Sequence, residues 1–508
     1  MNPPENRPLE GLEALFACFH ERLGDLTTCS ATRIEGVAKL SPTNDVHAIE
    51  ERAKVVVNSL VRAHPLLRST VRLDEEGTRH LVALDDESFW PKLEIEHEKD
   101  VSRSAETVEN EDETGWQYSL RREHDHRFVH DEALVRFLLY FPAEGNGCAY
   151  LILAAHHGLF DGRSLAILAK EFVSGLRRSI VQQGDTDHVP PSLQRSSSLL
   201  DLIGESFPES SDVDNSTGFP DANKTYAFDY ADKLDNPSKV RYLYRKLSDD
   251  LVTKLAAKCR SDGVRLTSLI IAAFTGPGLG RHLQRPGIKE SIGFQCCVDL
   301  RRYIDDSNRR NKERLLGNLY SIADLAVPVP DGDKCDSKAF LLERSLAIQK
   351  ELEEQLSDRR FLAGPHSACV DELAKGADEL CHKVEAEGYH GRDFYSGVSN
   401  LGKLNINDDS SVEQGDSDCC SAQAAAKAAI VATEYWFMTR LARVGTYCFF
   451  SCNYIPGNGM CIVFTRPDPI CSLKSAKGIM ERTLSTLETY AEGGIVHCEN
   501  GATDKHAL

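Results

Sequence analysis

The fold is decided by the seven residues His156–Gly162, which read HHGLFDG. They follow the apolar run Leu151–Ala155 and precede a helix-like run from Ser164 to Phe172. This order predicts a strand, a tight turn and a helix, with the histidines at the point where the backbone leaves the sheet. Imidazole has an unperturbed pKa near neutrality, so it can accept a proton during a reaction and return it. The stretch therefore indicates an enzyme that transfers a group to an oxygen or nitrogen nucleophile.

The spacing HHxxxDG resembles the active-site signature of the acyltransferases built like chloramphenicol acetyltransferase. These include alcohol acetyltransferases, plant-type BAHD enzymes, polyketide-associated acyltransferases and the condensation domains of nonribosomal peptide synthetases. The resemblance implies that His157 and Asp161 are the catalytic residues of the motif. His157 would be the general base, and Asp161 would form a salt bridge that holds the turn. It gives His156 a packing or orienting role, and it implies that Gly162 lets the backbone bend. The alternative is that the two histidines are ordinary residues at the end of a strand.

A second segment, Gly293–Tyr303, ends an apolar strand with the letters VDLRRY. It is similar to the V(D/N)LR segment that several branches of this superfamily carry in the second half of the chain. The resemblance implies that Arg301 pairs with Asp161 across the two halves, as a guanidinium and a carboxylate can do through two parallel hydrogen bonds. The alternative is that Arg301 and Arg302 are solvated charges after a strand.

Three further segments agree with the resemblance in their order along the chain: Leu60–Arg68, Gly317–Asn318 and Gly397–Gly402. In the last of them, Ser399 and Asn400 are candidates to bind substrate and to stabilise an oxyanion, and the alternative is a plain turn after a strand. The second half lacks the DFGWG segment of the plant-type enzymes. This absence favours the alcohol acetyltransferase, polyketide-associated and condensation branches.

The activity implied by the resemblance is transfer of an acyl group from a thioester to the hydroxyl of a small or lipid-like alcohol. The expected co-substrate is an acyl-CoA such as acetyl-CoA, an amine acceptor stays open, and we expect neither a bound cofactor nor a metal. One alternative is a free-standing condensation-type enzyme that takes its acyl group from a carrier protein and forms an ester or amide. Another is a non-catalytic binding module of the same fold. A nucleophilic cysteine working with His157 is a further alternative.

The composition is that of an ordinary globular protein, with 41% hydrophobic and 27% charged residues in 508. The formal net charge of −19 argues against a nucleic-acid partner. The apolar runs are too short for a membrane span, and the N-terminus does not resemble a signal peptide. The 16 cysteines include no CxxC spacing. We therefore expect reduced thiols in a cytoplasmic protein.

The resemblance implies an α/β (α+β) fold of two subdomains, each a mixed sheet flanked by helices, with an active-site tunnel between them. We expect the first subdomain at 1–181, a linker or crossover rich in Ser, Asp, Pro and Gly at 182–223, and the second subdomain at 224–508. Periodicity predicts helices at 9–24, 45–63, 248–261, 266–283, 337–356 and 472–491. It predicts strands at 32–40, 66–73, 79–84, 134–141, 148–155, 240–247, 322–329, 446–454 and 460–465.

Overall fold

The computed structural model describes residues 7–24, 26–40, 46–100, 113, 115–129, 132–143, 147–181, 202, 239–280, 291–304, 314–328, 338–357, 379, 381–382, 394–408, 430–440, 446–468 and 471–494. Within them the chain forms eight helices and fourteen strands. The helices are α1 (Gly11–Leu23), α2 (Val46–Ala63), α3 (Gly115–Asp125), α4 (Gly162–Val181), α5 (Asp249–Asp262), α6 (Leu266–Ala273), α7 (Lys338–Ser357) and α8 (Leu473–Ala491). The strands are β1 (Arg7–Pro8), β2 (Thr27–Glu35), β3 (Ser69–Leu73), β4 (Arg79–Ala83), β5 (Leu93–His97), β6 (Val135–Phe141), β7 (Cys148–His156), β8 (Lys239–Leu247), β9 (Ser291–Asp299), β10 (Tyr320–Pro328), β11 (Phe394–Lys403), β12 (Val431–Thr439), β13 (Thr446–Ile455) and β14 (Gly459–Asp468).

Two mixed sheets with helices packed on them form the architecture. The first sheet has the strand order β12-β2-β7-β6-β5, with β5 parallel to β6 and the other pairs antiparallel. The second has the order β10-β9-β11-β13-β14-β8, and β11 runs parallel to both of its neighbours. A small third sheet has the order β1-β4-β3. The predicted α/β class, with mixed sheets flanked by helices, is confirmed.

Strand β7 lies at the centre of the first sheet, and all nine of its residues are buried. It pairs with β2 over its full length, from Thr27 opposite His156 to Glu35 opposite Cys148. Both faces of β7 are covered, which explains why its sequence is apolar throughout instead of alternating with polar residues. This buried central strand thus carries His156 as its last residue and leads directly into His157.

Strand β12 belongs to the first sheet although it comes late in the chain, because it pairs antiparallel with β2. The hydrophobic core of the first sheet also includes Tyr242, Cys461 and Val463 from strands of the second sheet. The two halves therefore share one core at their contact. The proposed boundaries at 181 and 224 stay a prediction, and the predicted linker 182–223 lies outside the described residues except for Leu202.

Two predicted elements have other bounds in the structure. The strand expected at 32–40 runs from Thr27 to Glu35, because pairing with the nine residues of β7 fixes its length and register. The polar residues in its first part hid the start of the strand from an analysis of apolar patterns. The helix expected at 266–283 is α-helical only to Ala273, and the wider turn that follows, Phe274–Gly278, contains Pro277, which has no N–H to donate.

Candidate active site

The His157 imidazole is held in one tautomer by the turn that it begins. Its Nδ1 lies 2.9 Å from the carbonyl oxygen of Phe160. A carbonyl oxygen only accepts hydrogen bonds, so Nδ1 carries the proton and donates it to this bond. The lone pair of the neutral ring is then on Nε2. The backbone N–H of His157 donates to the carbonyl oxygen of Leu26 at 2.9 Å, which ties the turn to the start of β2.

Two aromatic rings enclose the imidazole. Phe16 of α1 lies with its ring centroid 5.1 Å away, and Tyr320 at the start of β10 stacks on it at 5.5 Å with 6° between the planes. The Tyr320 hydroxyl is 3.4 Å from Nε2. The side chain of His157 is therefore buried, with 5% of the residue exposed. Burial lowers the pKa of His157, although the Phe160 carbonyl and the Asp161 carboxylate act in the opposite direction.

Leu26, which accepts the His157 N–H, has a positive φ of 66°. Among the non-glycine residues that the structure describes, it is the only one in this region. The left-handed conformation costs a branched side chain free energy, so the surrounding contacts must hold it in place. Leu26 belongs to the same buried hydrophobic cluster as Phe16 and Leu12. The strained residue therefore lies directly behind the turn that carries the imidazole.

The ion pair between Asp161 and Arg301 is present and joins the two halves of the chain. Arg301 Nη1 lies 2.8 Å from Asp161 Oδ2, and Nη2 lies 3.1 Å from Oδ1, which makes the pair bidentate. Both residues are about 95% buried, at 4% and 5% exposure. Burial alone would raise the pKa of Asp161, but Arg301 and two backbone N–H donors hold it below its usual range.

The remaining hydrogen bonds of this carboxylate close the same junction. Ser164 N donates to Oδ1 at 2.7 Å, and Leu319 N donates to Oδ2 at 2.9 Å. The Ser164 hydroxyl donates to the Gly317 carbonyl at 2.8 Å and accepts from Gly317 N and from Arg301 Nη2, each at 3.0 Å. The carboxylate of Asp161 thus faces Arg301 and the Gly317–Leu319 backbone, which suits a structural role for it.

Gly162 is needed for a reason other than the expected backbone bend. It begins α4 without a positive φ, and a Cβ atom on it would lie 2.5 Å from the ring of Phe437 on β12. The close approach of this ring is what requires a residue without a side chain. His156 has the packing surroundings that we expected, since its Nδ1 accepts from Gly158 N at 3.1 Å and its ring lies 4.4 Å from that of His20.

Ser399 and Asn400 lie on opposite faces of β11, as successive strand residues must. The amide of Asn400 donates to the Thr267 hydroxyl on α6 at 3.0 Å and accepts from Gly402 N at 2.9 Å. Ser399 is buried and hydrogen-bonds the thiol of Cys297, which feels the charge of Asp161. Ser399 therefore lies on the Asp161 side of the second sheet, and Asn400 lies on its helix side. Their assignment as substrate contacts stays a prediction.

Three residues at this site were not singled out from the sequence: Phe16, Tyr320 and, for its side chain, Asn318. Asn318 is 2% exposed, and neither atom of its amide has a hydrogen-bond partner among the residues that the structure describes. Tyr320 comes two residues after the Gly317–Asn318 pair noted above. Tyr320 pairs with Asp299, the last residue of β9, in the antiparallel register of β9 and β10. A prediction of this pairing from the two sequence segments would have placed Tyr320 next to the strand end that leads to Arg301.

The cysteines in the described ranges form no disulfide. Burial raises the pKa of the Cys297 thiol, the cysteine on the Asp161 side of the second sheet, so this thiol is a poor source of thiolate. No group of three His, Cys, Asp or Glu side chains in the described part of the chain has the arrangement of a metal site. None of the helices described here is both long and apolar enough to cross a bilayer.

No family model and no curated protein matches the chain. Solved structures do. Trichothecene 15-O-acetyltransferase from Fusarium sporotrichioides has a TM-score of 0.62 at 13% identity, over 96% of this chain and 95% of that one. Polyketide synthase associated protein 5 from Mycobacterium tuberculosis has a TM-score of 0.60 at 16% identity, over 96% and 100%. The first condensation domain of the calcium-dependent antibiotic synthetase has a TM-score of 0.59 at 14% identity, over 99% and 100%. The chain thus has the fold of the acyltransferases built like chloramphenicol acetyltransferase.

Proposed function

We propose that the protein transfers an acyl group from an acyl-CoA thioester, such as acetyl-CoA, to the hydroxyl of a small or lipid-like alcohol, with His157 as the general base. The observation that carries this proposal is the state of the His157 ring. Its Nδ1–H donates to the Phe160 carbonyl, and its Nε2 lone pair faces the Tyr320 hydroxyl at 3.4 Å. The likeness in fold to an O-acetyltransferase supports the same reading.

The reaction needs only one group that moves protons. Nε2 of His157 removes the proton of the acceptor hydroxyl while its oxygen attacks the thioester carbon, and the carbonyl electrons move to oxygen. The tetrahedral oxyanion then collapses, the carbon–sulfur bond breaks, and the thiolate takes the proton from Nε2. Because the pKa of His157 is lowered, the ring is neutral at neutral pH and ready to accept that proton. Holding both substrates beside one ring supplies a large part of the acceleration.

The Asp161–Arg301 pair has a positioning role in this proposal. The turn from His157 to Asp161 is fixed at one end by Leu26 and at the other by Arg301 and Leu319. Its Phe160 carbonyl, which sets the tautomer, lies between these two anchors. A general base must be held within hydrogen-bond reach of the proton that it takes, so a fixed turn matters for rate.

The test is release of free thiol from acetyl-CoA in the presence of a panel of alcohols. We expect alcohol-dependent thiol release, and we expect His157→Ala to lower kcat by about 10²- to 10⁴-fold while the protein stays folded. His47→Ala, at an exposed position on α2, is the matched control and should keep full activity. Unchanged turnover in His157→Ala would refute the role of this residue, and no transfer with any donor would favour a non-catalytic module.

A second candidate is a condensation-type enzyme that takes its acyl group from a carrier protein. The likeness in fold to the first condensation domain of the calcium-dependent antibiotic synthetase favours it. The same assay separates the two candidates when an acyl-loaded carrier protein replaces acetyl-CoA. Transfer only from the carrier, to an alcohol or an amine, would favour this second candidate over the first.

A further inference from the structure

Tyr320 places a phenol hydroxyl at the reactive nitrogen of His157. It is the first residue of β10, and its ring lies parallel to the imidazole with the hydroxyl 3.4 Å from Nε2. Phe16 contacts both rings, with centroids 5.1 Å from His157 and 6.3 Å from Tyr320. The packing holds the phenol in place through its ring, so the position of the hydroxyl depends little on the hydrogen bond itself.

The direction of this hydrogen bond follows from the tautomer. Nε2 has the lone pair and accepts, so Tyr320 donates. Burial, with the neighbouring Cys297 and Asp161, raises the pKa of Tyr320 well above its usual value. The phenol therefore keeps its proton at any working pH. It can serve as a hydrogen-bond donor but not as a base.

A bound alcohol must take over the contact that Tyr320 now makes. Its hydroxyl has to come within about 2.6–3.2 Å of Nε2 to lose its proton. The hydrogen of a phenol turns about the C–O bond without movement of the ring, so the displaced donor can point to another acceptor nearby. The oxygen of the attacked carbonyl is bonded to the same carbon that the alcohol oxygen joins. The negative charge that develops on this carbonyl oxygen therefore lies next to the Tyr320 donor.

Resting on the proposed function, we infer that Tyr320 is a catalytic residue whose hydroxyl donates a hydrogen bond to the oxyanion of the tetrahedral intermediate. No proton is transferred in this contact. The carbonyl electron pair moves to oxygen, is stabilised there by the phenol O–H, and returns when the carbon–sulfur bond breaks. Loss of a single preorganised donor at this point of the reaction lowers kcat by about 10²- to 10³-fold.

The two other candidates for this role are engaged elsewhere. The Asn400 amide is hydrogen-bonded to Thr267 and Gly402 on the helix side of the second sheet. The Ser399 hydroxyl lies next to the Cys297 thiol. Of the polar side chains considered as donors, Tyr320 is the one with a hydrogen bond to Nε2.

The experiment compares Tyr320→Phe with the unaltered protein in the thiol-release assay. The phenylalanine ring keeps the packing against Phe16 and His157, so the melting temperature should not change. We expect kcat to fall about 100-fold while KM for donor and acceptor stays within a few-fold. Tyr454→Phe removes a phenol bonded to Asp249 at 2.8 Å on the second half of the chain, and should keep full activity as the matched control.

A second measurement follows the resting hydrogen bond without turnover. Donation by Tyr320 favours the neutral ring, so loss of the hydroxyl should raise the pKa of His157, as measured by NMR of the imidazole. A kcat within threefold of the unaltered protein would overturn the inference and leave the proposed function intact. If the unaltered protein transfers no acyl group at all, the proposed function fails and takes this inference with it.

Discussion

The carboxylate of Asp161 is the residue on which the junction of the two halves depends most. It accepts hydrogen bonds from Arg301 Nη1 and Nη2 and from the backbone N–H groups of Ser164 and Leu319. Every one of these partners is a donor, and both Asp161 and Arg301 are buried. An ionised carboxylate fits such a set of donors, and a neutral side chain with a donor of its own does not.

Asp161→Asn should therefore destabilise the protein by about 3–5 kcal/mol, because it leaves the buried guanidinium of Arg301 with only the partly exposed carboxylate of Asp299 and turns an amide N–H toward other donors. Turnover should fall with it, since the turn loses an anchor. Denaturant unfolding measures the first effect. Asp299→Asn is the control: Asp299 also contacts Arg301, at 3.2 Å, but its side chain is 31% exposed and asparagine caps a helical turn equally well. Equal losses in the two variants would contradict this account.

Among the elements, helix α1 shields the His157 ring from solvent. Phe16 and Phe19 are both buried in the cluster that α1 forms with Leu26, and Phe16 is the one whose ring contacts His157. The lowered pKa of His157 has burial as its largest cause. The helix therefore affects the acid–base property of a residue more than 130 positions away in the sequence.

This gives a prediction for the pH profile. The neutral ring is the active form, so kcat/KM should fall as the pH falls through the pKa of His157, below the usual value of about 6.5. Phe16→Ala admits water and should raise that pKa, so activity should be lost at a higher pH than in the unaltered protein. Phe19→Ala should cost a similar stability, about 3–5 kcal/mol, and leave the profile in place. If the pH profile of Phe16→Ala is the same as that of the unaltered protein, burial by helix α1 is not what lowers the pKa of His157.

The elements that could be predicted from the sequence are those whose pattern is local. The central strand β7 was evident from its apolar run, and α2 from the spacing of Ile49, Ala53 and Val56 on the face that is buried. The bounds of β2 were missed, because its register is set by pairing with a strand more than 100 residues away. Tyr320 and Phe16 were missed for a similar reason, since each lies far from His157 along the chain and meets it only in the folded protein.

Across the whole molecule, the pairing of strand β12 with β2 makes the first sheet depend on the second half of the chain. The Tyr435 hydroxyl on β12 donates to the carbonyl of Gly162 at 3.0 Å. Without β12, strand β2 would be left with an unpaired edge, which favours aggregation. The first half is therefore not expected to be a self-sufficient unit.

Expression of fragments tests this. Residues 1–181 alone should aggregate, and co-expression with residues 239–508 should give a soluble complex of the two fragments, measured by size-exclusion chromatography. The added stability comes from the β12–β2 ladder and from the Asp161–Arg301 pair. A fragment 1–181 that is monomeric and cooperatively folded by itself would show that the first sheet does not need its fifth strand.

The Asp161–Arg301 pair and β12 fasten the halves at two separate places, and this restricts how reactants can reach the base. Wide parting of the halves would have to break a buried ion pair or a strand ladder in every cycle. Entry is then expected through small rearrangements, above all rotation of the rings of Phe16 and Tyr320. These two aromatic side chains would limit the cross-section of an acceptor, so unbranched alcohols would enter more readily than branched ones.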